Sequence, residues 1–360
     1  MKQYIILVAG YDFSNGGVDF SYIADKRRLD LISRNPSWQN DPDVIFVRMD
    51  VKTGKIEKNL TNGTSRKWNS EPTSFTAINR ATQYRDNHFI QAESTVMSIT
   101  DCYKYVSDIG STEAGTVQEF SVLGHGWFGG PVIVNTFQRD EYNPGGDNSS
   151  VRDPWDKDGR TKDFFAQNMN EADWNNFRNA FAPNGYCWIW GCMFSRAYFD
   201  TLNKIMQTTA YRNKTLGSHL DEDLFTISVN ANFATSYYNV DPQFFPADVN
   251  ELTITRSLLD IKRFLQRGMK RAYPGRFAAD TGITCIAAYL GTYADYERVY
   301  PGHSPAHTVM TIPRNMTVYG ADFTRNINFF KTYLGMAEDA ENRGYGIYSP
   351  YQLSQWWMET

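Results

Sequence analysis

The sequence predicts an α/β three-layer sandwich with a mainly parallel, doubly wound sheet, extended toward the C-terminus by further helices and loops. Short apolar runs rich in β-branched and aromatic residues recur along the chain, and several are closed by glycine, as expected of buried strands followed by tight turns. Stretches with apolar residues at helical spacing separate these runs. The order strand, helix, strand, helix, strand indicates parallel strands joined by right-handed crossovers.

Each predicted element rests on one of these patterns. In the first half they are, in order, a strand at 4–10, a helix at about 22–34, a strand at 44–47 with a marginal hairpin reaching residue 56, a helix at 94–109 and a strand ending at His125. Residues 58–92 are polar and without a sustained period, so they are predicted to be an irregular excursion.

The second half continues the alternation after a second polar insertion at 138–162. The predicted elements are a helix at about 161–181, a strand ending at Cys192, a helix at 196–209, a strand at 224–229, a helix at 254–271, a strand at 283–288 and a helix at 323–342. Residues 1–210 are therefore expected to form the core with its two insertions. Residues 211–360 would complete the sheet and add helices within the same domain.

Composition narrows the classes of function. The chain of 360 residues is 41% hydrophobic and 21% charged, with a formal net charge of -4 at pH 7. This charge gives no general attraction to nucleic acid or to an anionic membrane, and no apolar stretch is long enough to span a bilayer. We expect no nucleic-acid partner and no membrane span. The apolar start is interpreted as a strand without a signal peptide, so synthesis in the cytoplasm is expected.

Two apolar runs end in residues that could act together in catalysis. The first run, 119–126, ends in His125 and Gly126, and the second, 186–192, ends in Gly191 and Cys192. The carboxyl ends of neighbouring parallel strands meet at one rim of a sheet, where ligands bind. A thiol and an imidazole at that rim would make a nucleophile with its proton carrier. We expect a Cys-His dyad, with the thiol activated by the start of the helix predicted at 196–209.

These runs resemble those of the caspase-like clan of cysteine peptidases, which includes caspases, metacaspases, legumain, separase, clostripain and gingipains. The resemblance is carried by residues 120–126 and 187–192 and by the order of elements up to about residue 209. His125 and Cys192 are 67 positions apart, more than the roughly 50 typical of caspases, and the insertion at 138–162 accounts for the difference. The caspase signature QACxG is absent, so a preference for aspartate is not expected.

The resemblance implies roles for individual residues. Cys192 would be the nucleophile and His125 the proton carrier, with the amides of Gly126 and Cys192 as the oxyanion hole. Residues 1–210 would be a caspase-like catalytic core that cleaves protein or peptide substrates. In metacaspase-like relatives an aspartate at the start of the first helix helps hold a basic side chain, and Asp25 occupies a similar place. Asp12 and Asp223 are further candidates for binding a basic residue, which would then precede the scissile bond.

The metal patterns in the sequence are incomplete, so we expect no metal and no cofactor. The stretch 153–159 has aspartates at the spacing of a calcium loop but lacks the acidic ligand at the twelfth position. His303 and His307 are four residues apart, but Pro305 between them prevents the helix that would place both on one metal.

Three alternatives remain open at this point. A catalytically inactive caspase-like fold could bind a partner protein through its aromatic, loop-rich C-terminal part. An α/β-hydrolase-type thiol esterase would also use a nucleophile after a strand, but Gly191–Ser195 lacks the second glycine of its elbow. The aromatic C-terminus, together with the missing signal peptide, also raises the hypothesis of a bacterial effector exported without a cleavable signal.

Overall fold

The computed structural model describes residues 1–12, 18–61, 65–78, 95–135, 150–154, 156–193, 195–230, 251–295, 309–312 and 323–356. The strands in this part of the chain are β1 (Gln3–Ala9), β2 (Tyr11–Asp12), β3 (Val44–Asp50), β4 (Lys55–Thr61), β5 (Arg66–Glu71), β6 (Val117–Leu123), β7 (His125–Trp127), β8 (Gly130–Val132), β9 (Val134–Asn135), β10 (Phe181–Ile189), β11 (Leu224–Asn230), β12 (Glu251–Ser257), β13 (Thr284–Ala287) and β14 (Gly346–Tyr348). The helices are α1 (Phe20–Arg34), α2 (Ile99–Thr112), α3 (Glu171–Ala180), α4 (Arg196–Gln207), α5 (Thr209–Arg212), α6 (Leu258–Arg271), α7 (Tyr273–Thr281), α8 (Phe323–Leu334) and α9 (Pro350–Gln355).

A mixed sheet of eight strands, flanked by helices, forms the centre of the described structure. Its spatial order is β14, β13, β10, β6, β1, β3, β4, β5. The five strands from β13 to β3 run parallel, whereas β14 at one edge and β4 and β5 at the other are antiparallel to their neighbours. The predicted α/β fold with a mainly parallel sheet is therefore confirmed.

The order of the parallel strands reverses direction at β1. The chain passes from β1 outward to β3, then returns to the other side of β1 as β6 and continues outward through β10 and β13. A crevice opens at such a reversal, beyond the carboxyl ends of the strands. This geometry places the residues that follow β1, β6, β10 and β13 along one rim of the sheet.

The predicted irregular excursion at 58–92 is wrong in its first part. β4 extends to Thr61, and β5 pairs with it as the outermost strand of the sheet. The turn between β3 and β4 uses Gly54 at φ +68°, a backbone conformation that favours glycine. Edge strands often carry polar residues because these discourage pairing with other chains, so the polar composition of this stretch concealed two strands.

Three predicted helices have different bounds in the structure. The helix expected at 161–181 is limited to α3, and the turns before it place Phe164 in the core. The helix expected at 254–271 begins only at Leu258, where Ser257 and Asp260 form a capping box, while Ile254 lies in β12. The helix expected at 323–342 ends at Leu334, just before Gly335, which adopts φ +68°.

Several charged residues in the described part of the insertion at 138–162, and Asp163 just after it, are buried. Arg152, Asp156, Asp158 and Asp163 are each less than 10% exposed. Arg152 pairs with Asp163 and donates to the carbonyl oxygens of Asp156 and Asp158 at 2.7 and 2.6 Å. Charged residues can be buried when they are paired and hydrogen-bonded, so a sequence with the composition of a loop packs here as core.

A second buried network joins α1 to the C-terminal part of the chain. Arg27 is fully buried and donates to both carboxylate oxygens of Glu119 in β6, at 2.9 and 2.8 Å. It also donates to Asp30 at 3.0 Å and to Glu341 at 2.8 Å. Arg27 therefore connects the first helix, the central sheet and the turn before β14.

Among the residues that the structure describes, no helix combines the length and the apolar character needed to cross a membrane.

Candidate active site

The rim beyond the carboxyl ends of β6 and β10 brings the two predicted catalytic segments together. β6 and β10 are adjacent and parallel, with Glu119 opposite Tyr186 and Val122 opposite Ile189. Beyond their ends, a methyl group at Gly126 would lie 2.8 Å from the carbonyl oxygen of Cys192 and 3.3 Å from its amide nitrogen. The backbones that carry His125 and Cys192 are therefore in direct contact.

Glycine is required at both crossing points. A methyl group at Gly191 would lie 2.6 Å from the amide nitrogen of Gly126 and 2.7 Å from the carbonyl oxygen of His125. Side chains at these positions would push the two strand ends apart. The His-Gly and Gly-Cys pairs seen in the sequence thus allow the amides of Gly126 and Cys192 to come close to each other.

A short hairpin holds the histidine. After Gly124 the chain forms β7, which folds back on β8 with His125 opposite Val132. The segment then continues as β9, which pairs in parallel with β2, the two-residue strand that follows β1. This pairing joins the segments that follow β1 and β6, the two neighbouring strands at the reversal of the sheet order. Asp12 and Asn135 lie opposite each other in the pair.

Asp12 is the carboxylate partner of His125. Its Oδ2 lies 3.3 Å from Nε2 of the imidazole, and its side chain is 6% exposed. The carboxylate also accepts from the side-chain amide of Asn135 at 3.1 Å and from the amide of Val18 at 3.2 Å. A buried carboxylate with these contacts is suited to orienting the imidazole. The predicted role of Asp12 in binding a substrate side chain stays a prediction.

The imidazole itself is partly accessible. The His125 side chain is 38% exposed, and its ring packs edge-to-face against Phe20, with the centroids 5.5 Å apart. With Nε2 directed to Asp12, Nδ1 is the nitrogen that could exchange a proton with a substrate or a nucleophile.

Cys192 is partly buried, and its thiol is hydrogen-bonded to the loop that follows β13. Its thiol donates to the carbonyl oxygen of Ala294 at 3.6 Å. It is the only one of the four cysteines that is not buried, since Cys102, Cys187 and Cys285 are all fully enclosed. The one thiol that a reagent or a peptide could reach is therefore the one predicted to be the nucleophile.

The expected activation of this thiol by a helix start is not seen. α4 begins at Arg196, four positions after Cys192. Burial raises the pKa of Cys192 to about 11, with a backbone hydrogen bond to Ala294 opposing the rise and the charge of Asp295 adding to it. The resting thiol is therefore protonated at neutral pH, and its activation would require a base.

The other two predicted substrate-binding residues lie elsewhere. Asp25 accepts from Arg28 at 2.9 Å and from the indole of Trp68, in edge strand β5, at 3.3 Å. Asp223 accepts from Lys214 and from the amide of Leu220, in the turn before β11. The contacts of both carboxylates are thus with groups away from His125 and Cys192.

A buried aspartate, Asp158, binds the backbone of the segment that leads into Asn135. Oδ1 of Asp158 accepts from the amides of Ile133 and Val134, at 2.9 and 3.0 Å, directly before Asn135. Burial raises the pKa of Asp158 to about 7, with Arg160 opposing the rise and Asp156 adding to it. These contacts are with backbone amides and arginines, so Asp156 and Asp158 do not form the calcium loop considered above.

The described residues contain no group of three or more His, Cys, Asp or Glu side chains placed to hold a metal ion. His303 and His307 lie outside the described residues.

Asn135, Ala294 and Asp295 were not found from the sequence. Asn135 ends the two-residue strand β9, and Ala294 and Asp295 lie in the loop beyond β13, where polar or small residues resemble those of any other loop. Asp12 was singled out for its position after the first strand, but its contact with His125 was not predicted. It lies 113 positions from His125, and only the reversal of the sheet order brings the two together.

Comparison with known proteins adds no relative, since no protein-family model, no curated protein and no solved structure matches the chain.

Proposed function

We propose that the protein is a cysteine peptidase with a caspase-like, three-layer architecture, in which Cys192 and His125 cleave peptide bonds. The observation that carries this proposal is the contact between the strand ends, where Gly126 and Cys192 meet backbone to backbone beyond the carboxyl ends of β6 and β10. The strand order of the parallel part, 2-1-3-4-5 when its strands are numbered along the chain, supports the doubly wound arrangement.

The residues suggest a sequence of steps. His125 accepts the proton of Cys192, and the thiolate sulfur attacks the peptide carbonyl carbon. The amides of Gly126 and Cys192 stabilise the oxyanion that forms. The imidazolium then donates its proton to the leaving nitrogen, the C–N bond breaks, and a thioester remains on Cys192. Water hydrolyses the thioester and restores the thiol.

Asp12 contributes by holding the imidazole. Its bond to Nε2 fixes the ring and favours the imidazolium that forms after proton transfer. Asn135 and Val18 in turn hold the carboxylate. Because the pKa of the Cys192 thiol is raised, the proposal depends on this base more than a site with a preformed thiolate would.

A preference for a basic residue before the scissile bond is supported by Asp295. This residue is exposed, lies next to the Ala294 carbonyl that contacts the thiol, and adds to the raised pKa of Cys192 through its charge. Its backbone is held by an antiparallel bridge to Thr311. An acidic group on the β13 side of the nucleophile would attract a lysine or arginine side chain.

The second candidate function is a non-catalytic protein-binding module of the same fold. The observation that favours it is the hydrogen bond from the Cys192 thiol to the Ala294 carbonyl oxygen, in a place where burial raises the pKa of the thiol. Peptide hydrolysis that depends on His125 would exclude it.

Replacing His125 by alanine is expected to lower kcat for a fluorogenic peptide about 10²- to 10⁴-fold, because no group would then accept the thiol proton or donate to the leaving nitrogen. The remaining rate should rise about tenfold per pH unit between pH 7 and 10, because the thiolate fraction then follows the thiol pKa of about 11. Asp12→Asn should cause a smaller loss.

The matched control is Asp108→Asn, which removes a carboxylate that is 63% exposed on α2. It should leave kcat and KM as in the wild type. The proposal is contradicted when His125→Ala hydrolyses peptides at the wild-type rate.

A further inference from the structure

Trp127 is an exposed aromatic side chain close to the proposed proton carrier. It lies two residues after His125 in β7, and 46% of it is exposed. Side chains at positions i and i+2 of a strand point to the same face. The indole of Trp127 and the imidazole of His125 therefore share one face of the β7–β8 hairpin.

The indole is held in place without being covered. A methyl group at Gly129 would lie 2.5 Å from Cζ2 of the ring, so the ring lies directly over this glycine. The Arg160 guanidinium is 5.8 Å from the ring centroid and is itself fixed by Asp156, which accepts from its Nε at 2.5 Å. A rigid aromatic surface that remains open to solvent loses little entropy when a ligand packs on it.

The direction of the reaction indicates which part of a substrate reaches this surface. The thiol of Cys192 attacks the carbonyl, so the acyl part of the peptide extends toward β13 and Asp295. The imidazole donates to the leaving nitrogen, so the residues after the scissile bond extend past His125. The strand order β13, β10, β6 places these two sides in line along the rim.

We propose that Trp127 is a specificity-determining residue that binds an aromatic or large aliphatic side chain in the first two residues after the scissile bond. This inference rests on the proposed peptidase function. The positive charge of Arg160 beside the ring would also disfavour a lysine or arginine at the same place.

The test compares two kinds of substrate that share one acyl part. Both are internally quenched peptides, one with Phe and one with Gly after the scissile bond. In the wild type, kcat/KM should be about tenfold higher for the Phe peptide than for the Gly peptide, which is the gain expected from burying part of an aromatic side chain. Trp127→Ala should remove this difference by lowering kcat/KM for the Phe peptide, and it should leave hydrolysis of the Gly peptide within about twofold of the wild type.

Two variants complete the design. Trp127→Phe should restore most of the preference, and Tyr351→Ala, which removes an aromatic residue that is 76% exposed on α9, should leave it intact. The inference is overturned when Trp127→Ala keeps the preference for Phe, or when it lowers hydrolysis of the Phe and Gly peptides equally. Failure of the peptidase assignment gives a different result, because Cys192-dependent hydrolysis would then be absent for every substrate, and this inference would end with it.

Discussion

Peptide hydrolysis should be lost when Cys192 is replaced by alanine, with kcat reduced about a thousandfold or more. The alanine variant keeps the backbone amide that is proposed for the oxyanion hole and removes only the attacking sulfur. Because the side chain is small and partly accessible, the variant should unfold at the same temperature as the wild type. The measurement is kcat for a peptidyl aminomethylcoumarin with arginine before the scissile bond, together with the melting temperature.

Cys192→Ser is the companion variant. It retains a hydroxyl in place of the thiol, but the weaker nucleophile should leave only a trace of activity. An alanine variant that cleaves as fast as the wild type would remove Cys192 from the mechanism. A variant that loses activity together with its melting transition would indicate a structural role for the residue instead.

Arg27→Met should be the most destabilising of the substitutions considered, with a cost of about 3–5 kcal/mol in the free energy of unfolding at pH 7.5. The change keeps a long side chain but leaves the buried Glu119 without its arginine, whereas Asp30 and Glu341 keep their ion pairs with Arg34 and Arg343. Urea denaturation with linear extrapolation measures the difference.

The loss of stability in Arg27→Met should also depend on pH, and the ionisation of Glu119 determines its direction. Burial favours the protonated form of this carboxyl, but the charge and hydrogen bonds of Arg27 outweigh it and lower its pKa. Without Arg27, only the hydrogen bonds from Ser121 and Tyr186 would oppose burial, which is the largest cause, and the folded-state pKa should rise above the unfolded value. The variant should therefore regain part of its lost stability as the pH falls from 7.5 to 5.

Arg34→Ala provides the control for Arg27→Met. Arg34 contacts two of the same carboxylates, Asp30 at 3.2 Å and Glu341 at 3.4 Å, but its side chain is 41% exposed. Its removal should cost no more than about 1 kcal/mol, because exposed ion pairs contribute little. Equal losses for the two arginine variants would contradict the view that the buried guanidinium holds the N- and C-terminal parts together.

The central strands could be predicted from the sequence because burial on both faces leaves a short apolar run, and because glycines mark where those runs end. β6 and β10 were found in this way, and so were the residues at their ends. The edge strand β5 and most of β4 were missed because a solvent-facing strand needs no apolar pattern.

The buried charges could not be predicted from composition. Arg152 and Asp158 lie in a stretch with the composition of a polar loop. They can be buried because Arg152 pairs with Asp163 and Asp158 accepts from the backbone amide of Ile133. The role of Asp12 depends on the same kind of long-range contact. Sequence patterns report local structure, whereas the pairing of Asp12 with His125 depends on which strands become neighbours.

The most direct test of the proposed peptidase function is covalent trapping of Cys192 by a peptidyl acyloxymethyl ketone with arginine next to the ketone. The thiolate of a functional site displaces the acyloxy group, and the peptidyl methyl ketone remains bound to sulfur as a thioether. The proposal predicts one adduct per protein molecule in the intact mass, located on Cys192 by peptide mapping, and formed far more slowly in His125→Ala. An unmodified protein, or an adduct that forms equally fast without His125, would contradict it.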